Sequence, residues 1–206
     1  MSTASFATLA STPAFDKRQL RQTLRAHRRR LPQWARQRAA RRMAAIVRRQ
    51  RWYQQARTLA LYFANDGEID PLPLLKRARA AGKRIFLPRL RGRRLEFVAQ
   101  GMGAPLRRNR LDILEPIGSA IALRKLDVVC MPLVGFDRGG RRLGMGGGFY
   151  DRTFAGKVAA NALKMRRPLL IGLAYAFQQA VQLPRERWDV PLAGVVTERA
   201  WIRANR

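Results

Sequence analysis

The chain has 206 residues, 47% of them hydrophobic, which is enough for one core and excludes wholesale disorder. No apolar run reaches the roughly 18 residues of a membrane-spanning helix, and a single cysteine (Cys130) with a single histidine (His27) excludes a disulfide framework, a zinc site and a histidine-dependent triad. With 42 Lys and Arg against 13 Asp and Glu, the net charge of +29 points to anionic partners: nucleotides, nucleic acid, polyglutamates or anionic lipid.

Residues 1–15 are small and polar, without the basic and apolar regions of a signal peptide. They read as a flexible tail ahead of one domain over 16–206, and the lone cysteine suits a reducing cytoplasm. Asp16 is placed to cap a helix running to about 30, with Leu20, Leu24 and Leu31 on one face. Pro32 suits the first turn of a second helix reaching about 50, with Trp34, Ala39, Met43, Ile46 and Val47 as its apolar side. Both helices carry basic outer faces, and residues 1–60 hold 15 Lys or Arg against one acid, Asp16. Since only six of the chain's cations are lysines, a genome-wide preference for arginine codons explains the excess as readily as selection does.

The period then changes. TLALYF (58–63) reads as a buried strand followed by the polar loop ANDGEID; Asp70 and Pro71 start a helix that Gly82 closes. KRIFLP (83–88) is a strand ending at its proline, RLEFVAQ (94–100) alternates like an exposed strand, and the next 20 residues look irregular. LDVVCMPLVGF (126–136) is the most apolar run and the candidate central strand, with Cys130 as a buried structural thiol. Residues 149–165 look helical, 167–175 form a strand, and 192–202 form the last one. Strands alternating with helices predict an α/β fold with a mainly parallel central sheet flanked by helices, preceded by the two basic N-terminal helices.

Between the central strand and the next helix lies GMGGGFYDR (144–152). Glycines in such numbers let a backbone press against a ligand, and several amides at a helix start can converge on a phosphate chain. The stretch lacks the lysine of a Walker loop, and Phe149 stands where a dinucleotide fingerprint needs its last glycine. Asp151, one turn into the helix, suits either a magnesium ion beside phosphates or a first-turn acid against the helix dipole.

PLVGFDRGGRRLGMGGGFYDR (132–152) resembles the signature of the 5-formyltetrahydrofolate cyclo-ligase family, the 5,10-methenyltetrahydrofolate synthetases. KRQLR (17–21), YFANDGEID (62–70), GKRIFLPR (82–89), IGLAYAFQ (171–178), LPRERWDVPL (183–192) and VVTE (195–198) resemble its other motifs in order and spacing. The resemblance implies an ATP- and magnesium-dependent enzyme that phosphorylates the formyl oxygen of 5-formyltetrahydrofolate; a monomer is expected. The bridging folate nitrogen then attacks the activated carbon, giving 5,10-methenyltetrahydrofolate, ADP and phosphate.

By the same resemblance, ATP meets Lys17, Arg18, Gln19, Leu20 and Arg21 on the first helix. It also meets Arg142, Leu143, Gly144, Met145, Gly146, Gly147, Gly148, Phe149 and Tyr150 around the glycine loop. The folate meets Arg21, Phe63, Glu68, Gly147, Gly148 and Phe149, with Glu68 hydrogen-bonded to the pterin, while Asp151 and Asp189 hold magnesium. Some family members carry cations within the loop where Met145 and Gly147 are neutral, which leaves the phosphates to backbone amides, Arg142 and Arg152.

Each residue also has a plain reading. Lys17 and Arg21 could be surface cations, Phe63 core, and Asp189 the cap of a turn before Pro191; Glu68 could pair with Arg84 or precede the Asp70 cap. Two rivals use the same features: a nucleic-acid-binding protein working through its arginine-rich helices, and a nucleotide-dependent ligase acting on another small acid. The charge also favours polyglutamylated folates and non-specific binding of nucleic acid.

Overall fold

The computed structural model describes residues 16–159 and 168–205. The expected tail at 1–15, and the end of the helix expected to reach 165, lie outside the described residues. Among the described residues there are five α-helices: α1 (Lys17–Arg30), α2 (Gln33–Arg48), α3 (Arg51–Gln55), α4 (Leu72–Ala80) and α5 (Phe149–Ala159). Eight strands form the main sheet: β1 (Thr58–Ala60), β2 (Arg84–Arg91), β3 (Arg94–Ala99), β6 (Ala120–Ile121), β7 (Val128–Pro132), β10 (Leu169–Leu173), β11 (Gly194–Val196) and β12 (Trp201–Arg203). Two small hairpins join β4 (Leu106–Arg108) to β5 (Leu114–Pro116) and β8 (Gly135–Phe136) to β9 (Arg142–Leu143).

The sheet order is β12-β11-β10-β7-β1-β2-β3-β6. Its five central strands, β11 to β2, are parallel, and the flanking pairings with β12, β3 and β6 are antiparallel. Alternate residues of each central strand enter opposite cores. Leu59, Ile85, Leu87, Val128, Cys130 and Ile171 meet α2, α3 and α4 on one face. Ala60, Phe86, Val129, Met131 and Leu170 meet Phe154 of α5 on the other. Cys130 is buried, and burial pushes its thiol well above the ordinary range, so it is packing rather than a nucleophile.

The helix signals act as the sequence implies. The Asp16 side chain accepts from the Arg18 amide at 2.7 Å, Asp70 accepts from Leu72 at 2.9 Å, and Gly82 ends α4 at a φ of +71°.

Several expectations need correction. The strand expected over 58–63 pairs only to Ala60, because the chain then leaves the sheet to build a loop. Pro88 does not end β2: it lies past the last β1 partner, Phe86, so the missing N–H breaks no ladder bond. β3 is not exposed, since Phe97 and Val98 are buried. The stretch after it is not irregular throughout but holds the β4–β5 hairpin and β6. The last run is two antiparallel strands, β11 and β12, rather than one. In the second helix, Pro32 is the N-cap and not a first-turn residue, the helix ends at Arg48 before a separate α3, and Trp34 is 65% exposed and outside the core.

Candidate active site

From β1 the chain crosses through α4 to β2 on one side, and later places β7 on the other side of β1. The carboxyl ends of β1 and β7 therefore flank the switch point of the sheet, where open α/β folds leave a crevice for ligands. Residues 61–71 leave β1 there, and 133–148 leave β7. Helix α1 lies over both, its Leu20 and Leu24 packed with Val134, Leu143 and Leu183. Its cations recur at helical spacing on the side facing these loops.

Arg28 is the deepest of them, with no exposed side-chain surface. Its Nε donates to the Asp66 carbonyl at 2.7 Å and its Nη2 to Asp66 Oδ2 at 2.7 Å. Arg25 donates to the same Oδ2 at 2.8 Å, and Arg29 reaches Oδ1. Burial alone would push the Asp66 carboxyl up, but hydrogen bonds from the three guanidiniums outweigh it and hold the group at about 2.

Two residues on, Glu68 sits 3.9 Å from Arg28 and accepts from the Asn65 amide at 3.1 Å. Burial here wins over both, and the Glu68 carboxyl is pushed up to about 7. Neighbouring carboxylates thus carry opposite shifts. The Tyr175 hydroxyl, raised to about 12 chiefly by burial, donates to the Glu68 carbonyl at 3.5 Å. Phe177 stacks on Tyr175 with ring centroids 5.4 Å apart, and Phe63 is half-buried against the same core. Glu68 faces Arg28 and does not pair with Arg84.

Across the crevice, Gly144, Met145, Gly146 and Gly147 are exposed. Among the described residues, the amides of 145–148 meet no acceptor in the chain. Two glycines need their missing side chains. Gly146 has a φ of +98°, and Gly148 has a φ of +60° with the Arg152 guanidinium 2.6 Å from where a Cβ would stand. Around Gly144 there is open space. Arg21 donates to the Gly144 carbonyl at 2.9 Å, tying α1 to this loop, and the Arg152 guanidinium lies 5.6 Å from the Phe149 ring. Tyr150 is packed against Phe154, and burial pushes its hydroxyl well above the ordinary range.

The structure brings Lys17, Arg21, Phe63, Glu68 and residues 142–151 to this end of the sheet. Arg18 and Gln19 are exposed on the first turn of α1, whereas Leu20 packs inward. Lys17 pairs with Glu186 at 3.1 Å. Arg142, which the sequence assigns to phosphate, donates to Asp151 Oδ1 at 2.5 Å and to the Val190 carbonyl. Asp151 Oδ1 also accepts from the Val190 amide at 3.2 Å, so the residue after Asp189 is joined directly to Asp151. Asp189 itself accepts from the Glu186 amide at 2.8 Å, as a turn cap does.

Two carboxylates on adjoining segments are hard oxygen donors, and magnesium is commonly held by one or two carboxylates together with phosphate oxygens. The donor set fits that ion, although among the described residues no three acids, cysteines or histidines cluster into a closed cage. Sequence reasoning missed Arg25, Arg28, Asp66 and Tyr175. Arg28 is hidden in a run of arginines, and only its seven-residue spacing from Arg21 marks it as facing inward.

Comparisons with known proteins follow the same lines. The model of the 5-formyltetrahydrofolate cyclo-ligase family matches residues 14–198. A 5-formyltetrahydrofolate cyclo-ligase of Escherichia coli is 40% identical over 71% of this chain and 81% of its own length. The corresponding Haemophilus influenzae protein is 38% identical over 69% and 76%. The solved structure of Aquifex aeolicus 5,10-methenyltetrahydrofolate synthetase superposes with a TM-score of 0.77 at 30% identity, covering 92% of this chain and 93% of that one. With its motifs, its sheet and its switch-point crevice in agreement, the chain belongs to the 5-formyltetrahydrofolate cyclo-ligase family.

Proposed function

We propose that the chain converts 5-formyltetrahydrofolate and ATP into 5,10-methenyltetrahydrofolate, ADP and phosphate in this crevice. The observation that carries the reading is the way α1 joins a glycine loop with unpartnered amides to a loop bearing the largely buried Glu68. The pterin lies against Phe63, with Glu68 hydrogen-bonding its polar edge. The triphosphate lies along residues 144–148, where amides and the start of α5 stabilise negative charge and Lys17 and Arg21 add cations. The formyl oxygen takes the terminal phosphoryl group and ADP leaves. The bridging nitrogen then adds to the activated carbon, loses its proton, and phosphate departs as the ring closes. The protein contributes alignment and charge stabilisation, and the reaction requires no nucleophilic side chain.

Asp151 and Asp189 would hold magnesium, which when bound neutralises phosphate charge. The phosphate role of Arg142 is then indirect: it holds Asp151 in place and leaves direct contact to the amides and Arg21. The reading further places the enzyme in the cytoplasm as a monomer. No helix among the described residues is long and apolar enough to cross a membrane.

Exposed Arg38, Arg41, Arg42, Arg48, Arg49 and Arg51 have no ion-pair partner among the described residues. This surface supports attraction of polyglutamylated folates and of RNA, both of which should weaken steeply with salt.

The test is the near-ultraviolet absorbance of the conjugated methenyl product with purified protein, magnesium, ATP and 5-formyltetrahydrofolate. A rise that requires ATP supports the proposal. A flat trace from protein that binds ATP redirects the site to another acceptor acid.

A further inference from the structure

We infer that Arg28 is a positioning residue for the folate side of the site: it fixes Glu68 by clamping the Asp66 turn and ties that turn to the glycine loop. The inference rests on the function proposed above. One guanidinium touches three separate segments. Besides its two bonds to Asp66, Nη1 lies 3.4 Å from the Leu133 carbonyl just past β7, and Nη2 lies 3.6 Å from Met145 Sδ within the glycine loop.

Charge balance alone does not account for this arrangement. Arg25 and Arg29 already pair with the Asp66 carboxylate, so a third cation is not needed to neutralise it. What Arg28 alone supplies is a planar fork that satisfies a backbone carbonyl and a carboxylate of the same residue. That residue is unusual in its backbone. Asp66 has a φ of +51° and Gly67 one of +75°, and a Cβ on Gly67 would stand 3.1 Å from the Arg28 carbonyl. Asp66 and Gly67 are a residue pair that a type I′ turn prefers, closed by the Glu68 amide on the Asn65 carbonyl at 3.0 Å, and these two left-handed residues set the direction in which Glu68 leaves the turn. The side chain that holds them is fully buried, 3.9 Å from the Glu68 carboxyl.

A lysine at 28 keeps the charge and loses the fork, while Arg25 and Arg29 still pair with the Asp66 carboxylate. The experiment compares Arg28→Lys, Glu68→Gln and their double variant by steady-state kinetics and thermal unfolding. Arg28→Lys should raise KM for 5-formyltetrahydrofolate about tenfold while KM for ATP changes by less than about twofold. In the Glu68→Gln background the same substitution should raise the folate KM by less than about twofold, because both act on one contact. Should Arg28→Lys not fold, Gly67→Ala displaces the same turn and should show the same folate-selective, non-multiplicative pattern. Multiplication of the two effects, or equal losses for both substrates, would overturn the role of Arg28. Failure of the unmodified chain to turn over 5-formyltetrahydrofolate would overturn the underlying reading, and this inference with it.

Discussion

Asp151 Oδ1 meets Arg142 Nη2 at 2.5 Å, joining the glycine loop's entry to the first turn of α5. The same oxygen takes the Val190 amide at 3.2 Å, so a single carboxylate atom pins three segments. The Arg142 side chain is nearly buried and its Nη1 is taken up by the Val190 carbonyl.

On the proposed reading, Asp151 has a structural role through Oδ1 and a magnesium-binding role, and the two can be tested separately. Asp151→Asn should keep an acceptor for Arg142 and Val190, lower thermal stability little, and still reduce turnover by about a hundredfold or more, with weakened magnesium dependence. Asp151→Ala should add a further loss of about 1–3 kcal/mol in urea unfolding, because the nearly buried Arg142 guanidinium and the Val190 amide are left with no acceptor there at all. Equal stability of the two variants would contradict the pinning role.

Glu68 carries a pH signature. Its carboxyl is raised from an ordinary 4.5 to about 7 in the folded chain, so the folded state keeps a proton that the unfolded state releases. Stability contributed through this group should fall as pH rises between those values, and Glu68→Gln should remove that slope in urea unfolding. In catalysis, KM for the folate should change through about pH 7 in the unmodified protein and be flat in Glu68→Gln, with ATP binding spared.

Asp66 works in the opposite direction. Held at about 2 against an ordinary 3.8, it contributes stability above pH 3.8 that is lost as pH falls towards 2. Asp66→Asn should flatten that acid limb, and at neutral pH should lower stability by about 2 kcal/mol. Unchanged acid unfolding would mean the arginine cluster is loose in solution.

Two glycines that look alike in the sequence should behave differently. Gly148→Ala meets the Arg152 guanidinium and a left-handed backbone, so both unfolding temperature and ATP affinity should drop. Gly144→Ala meets open space and should leave the unfolding temperature unchanged. Any loss of ATP affinity in Gly144→Ala, read by calorimetry, then reports the added methyl against the ligand.

Much of the frame could be read from residue order. The period change near 58, the apolar run around Cys130 and the caps at Asp16 and Asp70 are local signals, and local signals suffice for helices and buried strands. What escaped was decided by distant partners. Pro88 looks like a strand end until the short reach of β1 is known. Trp34 has apolar spacing, yet the helix rolls so that Ala40 and Ala44 face inward. In the site, resemblance marked Glu68 and Asp151, but only its spacing from Arg21 separates Arg28 from Arg29 and Arg30. Burial distinguishes it, and burial depends on loops far along the chain.

The placement of α1 over the carboxyl ends also sets an order of events. This helix is made early, yet Arg25 waits 41 residues for Asp66, and Arg21 waits 123 residues for Gly144. Closing such long separations is slow compared with forming a helix. During synthesis its arginines have no acidic counterpart among the first 60 residues beyond Asp16, so they repel one another until the rest arrives. The crevice should close late, and pulsed amide exchange during refolding should show residues 65–68 gaining protection after β7 and β10.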